Sequence, residues 1–86
     1  MRELVLHEHD FCSAEQLHHF LRRELQFPAH YGENLAALSD CLGDISQPTR
    51  LVVYRDNSVG QPWFDKACAV MGRASLENPS LEAHFK

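Results

Sequence analysis

No Lys or Arg occurs between Glu24 and Arg50, although Glu33, Asp40 and Asp44 all fall in that window. Such a stretch repels nucleic acid and attracts a basic surface, so direct RNA or DNA binding is not expected. No apolar run approaches the ~20 residues needed to cross a bilayer. The apolar start, Leu4-Val5-Leu6, is too short for a signal peptide and an acid precedes it, which predicts a soluble cytoplasmic chain. Cys12, Cys41 and Cys68 make an odd count without a CxxC pair, so neither a disulfide framework nor a zinc site is expected. They read as buried reduced thiols. There is no nucleophile elbow, Gly-rich phosphate loop or paired-carboxylate motif, so neither enzyme activity nor a cofactor is expected. His30 with Asp40 could do acid–base chemistry in principle, but nothing marks a substrate pocket. Of the six histidines, His7, His9 and His84 could share a sheet face. Without HExxH or CxxC, no metal site is expected.

What is present suits a small globular protein. With 86 residues, 44% of them apolar, and a net charge of −4, the chain is read as one domain over residues 1–86. Leu4-Val5-Leu6 suits a buried strand. Ser13 opens a helix, with Gln16 three residues on in a capping-box pattern. Leu17, Phe20, Leu21 and Leu25 recur at helical spacing, and Pro28 is expected to end the helix. Gly32 is expected to take a positive φ, and Asn34 to cap a second helix that buries Leu35, Leu38, Cys41 and Leu42 and stops at Gly43. Glu33, just before that cap, is read as structural, at the positive end of the helix dipole. Leu51-Val52-Val53-Tyr54 is the clearest strand. Asn57–Gly60 reads as a turn, and Pro62 starts a third helix with Phe64, Ala67, Cys68 and Met71 inward. Gly72 weakens that helix by ~1 kcal/mol relative to Ala. Trp63, beside Pro62, is read as a partly buried staple. Leu81 to Phe85 form a last strand. The order β-α-α-β-α-β predicts an α/β fold, a three-stranded parallel sheet packed by helices.

Spacing also brings Ala36, Ser39, Asp40 and Gly43 onto one helix face, at i, i+3, i+4 and i+7. The face consists of small residues around a single acid, which is either a surface for close approach by a partner or an inert exposed stripe.

The segment Leu17 to Gly43, LHHFLRRELQFPAHYGENLAALSDCLG, closely resembles the first two helices of the barstar family. Its specific parts are Leu25-x-Phe27-Pro28, the run Tyr31-Gly32-Glu33-Asn34-Leu35, then Leu38 and Asp40-Cys41-Leu42. Beyond Tyr54 the chain looks shorter than barstar, as though a small helix were reduced to the Asn57–Gly60 turn. The resemblance implies the barstar-like fold and a non-catalytic bacterial protein, monomeric and antitoxin- or immunity-like. It would inhibit a barnase-like ribonuclease stoichiometrically. Its acidic loop-helix surface, residues 30–44, would block the basic active site of that enzyme. Carried over by position, Asp40 matches the anchoring aspartate, and Tyr31, Gly32, Asn34 and Leu35 match the contact loop. His30 stands at a tyrosine position, Ala36 at an interface aspartate and Ser39 at an interface tryptophan. On the last helix Arg73 replaces an interface acid, with Glu77 one turn later in compensation. Gly43 and Asp44 complete the expected contact set. The alternative is a barstar-scaffold interaction or immunity module for a non-ribonuclease protein, which the changes at Ala36 and Ser39 favour.

Overall fold

The short apolar runs Leu4-Val5-Leu6 and Leu51-Val52-Val53-Tyr54 make strands where the sequence predicts them, and so does Leu81 to Phe85. In a computed structural model, which describes residues 1–56 and 61–86, β1 spans Arg2–His7, β2 Thr49–Tyr54 and β3 Leu81–Phe85. A 3-10 turn over Glu8–Asp10 follows β1. The helices are α1 (Ala14–Leu25), α2 (Leu35–Gly43) and α3 (Pro62–Glu77). The expected Asn57–Gly60 turn lies outside the described residues. All three strands pair in parallel in the order β1-β2-β3, with Leu4 opposite Leu51 and Leu51 opposite Ala83. The predicted α/β architecture and element order are those observed.

The core lies between one sheet face and the helices. Leu6, Leu51 and Val53 from the sheet meet Leu17, Leu21, Leu38, Leu42, Phe64 and Met71, all essentially inaccessible. Burying each such side chain contributes about 1.5–3 kcal/mol. Parallel sheets are usually covered on both faces, and this one carries polar rows on its outer face. Arg50 sits between Glu3 and Glu82, with ion-pair distances of 3.4 and 3.8 Å. Farther along, His7 stacks on Tyr54 with ring centroids 4.7 Å apart. His84 lies on the far edge strand, 3.1 Å from Glu82. Among the described residues, no group of three His, Cys, Asp or Glu side chains is arranged to hold a metal. No helix among them is long and apolar enough to cross a membrane.

Helix ends show where local chemistry departs from expectation. Ser13 caps α1 by accepting the Gln16 N–H, while the Gln16 side chain accepts from Cys12 N at 2.8 Å, one residue beyond the usual capping-box partner. α1 stops before Pro28 can act: Gln26 turns left-handed (φ 57°, ψ 47°) and Phe27 N–H reaches back to Arg22 O at 3.0 Å, a Schellman closure. The cysteines also differ from expectation. Cys12 is exposed and Cys41 half-buried, so only Cys68 is a buried thiol, and burial pushes its pKa up to about 11 against the opposing Arg55 charge.

A buried acid organises the far end of the sheet. Glu8, only 3% exposed, accepts the backbone N–H of Asp56 at 3.0 Å and of Gln61 at 3.4 Å. Gln61 in turn donates to Phe11 O at 3.2 Å. These bonds fix where α3 begins.

Candidate protein-binding surface

Two adjacent histidines of α1 hold the loop before α2 from inside and outside. His18 Nδ1 lies 2.5 Å from the Tyr31 hydroxyl, and His19 Nε2 lies 2.6 Å from Glu33 Oε1. Burial lowers the His18 pKa against the attraction of Glu33. Burial also raises the Tyr31 pKa well above the ordinary phenol value, with Cys41 and Glu33 adding to the rise. A neutral imidazole and a protonated phenol are therefore the stable pair. Tyr31 N–H closes a turn on Pro28 O at 3.0 Å, and its ring packs 4.9 Å from Phe27.

The left-handed residue of this loop is Glu33 (φ 52°), one position beyond the glycine expected to take it. Gly32 is needed for space instead: a Cβ there would stand 3.1 Å from Asn34 Nδ2. Asn34 then caps α2, accepting Ala37 N–H at 2.8 Å while its amide donates to Gly32 O. At the other end, Gly43 remains in the helix, and the chain leaves through Asp44 in a right-handed conformation (φ −90°). The expected left-handed glycine stop is absent there.

α2 carries an exposed strip of Ala36, Ser39, Asp40 and Gly43. On one flank of the strip lies a groove of about 570 Å³ with His30, Tyr31, Gly32, Asp40, Cys41 and Asp44 in its walls. Asp40 and Asp44 are both exposed, and among the described residues neither has a cationic side chain within ion-pair distance. The Cys41 thiol is held protonated by burial and by the Asp44 and Asp40 carboxylates, all of which raise its pKa. Arg2, far away in sequence, forms part of the same wall, and its Nε is buried with no hydrogen-bond partner among the described residues. On the other flank of α2 is a hollow of about 390 Å³ between Leu17, Asn34, Leu35, Trp63 and Lys66.

A basic cleft would meet two exposed carboxylates here, without ion-pair partners among the described residues, on a strip without bulky side chains. The family model of barstar, described as a barnase inhibitor, matches residues 1–75. The chain belongs to the barstar family. A protein of Bacillus subtilis (strain 168) named "Putative ribonuclease inhibitor YrdF" is 44% identical over 54 residues. That match takes in 62% of this chain and spans 59% of the relative's length.

In this barstar-family chain the expected contact residues divide into groups. His30, Gly32, Asp40 and Asp44 are exposed around the first groove. Asn34 and Leu35 line the opposite hollow, Leu35 half-buried. Ala36, Ser39 and Gly43 form the strip between. Tyr31 is 6% exposed and committed to His18, so it shapes the loop from inside and offers a partner almost no surface. Glu77 lines neither depression. It is exposed on α3, with Arg73 Nε 3.5 Å from its carboxylate.

The residue that ties α3 to α2 is Asn78, the cap that follows α3. Its buried amide donates to Leu42 O and Ile45 O, each at 2.9 Å, and its Oδ1 accepts Ser80 N–H at 2.9 Å. The end of α2 thus receives donors for carbonyls that a helix terminus leaves unpaired. Arg2, Cys41 and Asn78 were not among the expected site residues. The Asp40-Cys41-Leu42 run carried a signal for Cys41, but no sequence pattern marked Arg2.

Proposed function

We propose that this chain is a stoichiometric protein inhibitor of a small basic ribonuclease, bound through residues 30–44. The carrying observation is the exposed Asp40 carboxylate, without a cationic partner among the described residues and with Asp44 in the wall of the same groove. A ribonuclease cleft gathers Arg, Lys and His around the phosphates of RNA. Carboxylates offered by a rigid helix supply the same charge without a cleavable bond. Family membership and the printed name of the Bacillus relative support a ribonuclease as the target. Barnase with barstar is itself the type example of electrostatically steered association, and the expectation of steering is taken from that pair.

Titrating barnase with the purified chain tests the reading. RNA cleavage is expected to fall linearly to an end point at equimolar inhibitor. Full activity of barnase and of a panel of other small basic ribonucleases, at excess chain, rejects it. The small side chains at Ala36 and Ser39 favour a second reading, in which the same surface serves a basic protein that is not a nuclease. Capture of such a protein, lost on changing Asp40, would decide for it.

A further inference from the structure

Interfaces draw most of their energy from a few well-packed side chains, Trp, Tyr and Arg above all, near the centre of the contact. The exposed strip of α2 has no such residue, and Tyr31 is buried. We propose that Trp63 is the aromatic anchor, its hollow with Leu35 receiving an apolar side chain of the bound ribonuclease whose neighbouring carboxylate meets Lys66. The proposal rests on the inhibitor reading above and names a second contact region for it.

Three observations carry it. The hollow is continuous with the proposed contact surface, because Asn34 and Leu35 belong to both, and Leu35 precedes Ser39 by one helical turn. Asp40 and the acidic groove lie on the other flank, so α2 presents charge on one side and an apolar seat on the other. Trp63 is only half-buried, with its ring 5.6 Å from Phe64, and its indole N–H has no partner among the described residues. An aromatic body with an unspent donor suits a contact that is apolar at its base and polar at its edge. Lys66 supplies the charge argument: it is exposed at the rim and has no carboxylate within ion-pair distance among the described residues, and the acid that shares the lining, Glu33, is engaged by His19 at 2.6 Å. A bound acidic group would compensate it. Because most of this contact is apolar, it also depends less on salt than the Asp40 side.

Trp63 is the only tryptophan, so 5-fluorotryptophan labelling gives the chain a single 19F resonance even beside an unlabelled ribonuclease. Barnase is the probe. On formation of the complex, the resonance is expected to move, and Trp63→Ala is expected to weaken binding by at least ~30-fold, the loss of a hot-spot residue. Lys66→Glu, a surface change that leaves the core intact, is expected to weaken binding severalfold and guards against misfolding of Trp63→Ala. A complex with an unmoved resonance, and Lys66→Glu affinity equal to that of the parent, overturns the proposal and leaves the inhibitor reading standing. No complex with barnase or with any other small basic ribonuclease of the panel, at any ratio, overturns both.

Discussion

His18 Nδ1 and the Tyr31 hydroxyl lie 2.5 Å apart in the interior, and this bond fastens α1 to the loop that presents His30 and Gly32. Tyr31→Phe keeps the ring and strands a buried imidazole nitrogen, so the expected loss is about 1–3 kcal/mol of stability, read by urea unfolding. The pH dependence follows from the lowered His18 pKa. Unfolded His18 takes up its proton near the ordinary 6.5, whereas the folded chain resists it to lower pH. Between those values the unfolded state holds more protons, so stability rises with pH. The contribution is complete above 6.5 and drains away as pH falls through the lowered folded value. Urea midpoints from pH 7.5 to about 5 are expected to fall less steeply in His18→Gln than in the parent. A parallel pair of curves would show that His18 does not carry the slope.

Two glycine substitutions in opposite directions are expected to stabilise the chain. Gln26 holds a left-handed conformation that strains any side chain with a Cβ. Gln26→Gly relieves that strain at some entropic cost to the folded chain, for a net gain of about 0.5–1 kcal/mol. Gly72 is inside α3, where a new Cβ would meet Phe85 at 3.5 Å, an ordinary contact. Gly72→Ala is therefore expected to gain about 0.5–1 kcal/mol through helix propensity. Thermal unfolding checks both, and a drop in midpoint for either one contradicts the backbone assignment at that position.

Asn78→Ala removes the donors that Leu42 O and Ile45 O share and leaves those carbonyls short of partners. The expected cost is about 2–3 kcal/mol, at the upper end for a buried hydrogen-bonding side chain. Because these bonds hold the end of α2, amide exchange is expected to quicken most at Asp44 and Ile45. Uniform quickening across the chain would instead mark a purely global effect.

The parts of this fold that were legible from sequence are those set by short-range periodicity and caps. Leu51 to Tyr54 had to be a strand, Asn34 had to cap a helix, and the spacing of Ala36, Ser39, Asp40 and Gly43 put them on one face. What was illegible depends on distant segments meeting. Nothing near Tyr31 indicates that its hydroxyl is spent on a residue one helix earlier. Arg2 enters the acidic groove only because β1 pairs with β2 in a particular register. The carboxylate of Glu8 looks like surface charge until the chain on both sides of the undescribed segment donates to it. Glu33, read as helix-dipole chemistry, is also the left-handed residue of the loop and is paired with His19 of the preceding helix.

Asp40→Ala is the sharpest test of the charge argument. If its carboxylate is the desolvated anchor, binding to barnase is expected to weaken by at least ~2 kcal/mol, mostly through faster dissociation. Asp44→Ala, on the same groove but at the helix exit, is expected to act mainly on the association rate. Salt separates the two roles. Steering by exposed carboxylates is screened as the Debye length shrinks from about 30 Å at 0.01 M to about 8 Å at 0.15 M salt. The association rate of the parent is therefore expected to fall steeply over that range, and that of Asp44→Ala less so. A change below ~0.5 kcal/mol for Asp40→Ala at both salts would remove this carboxylate from the interface, since surface substitutions away from special features stay within that margin.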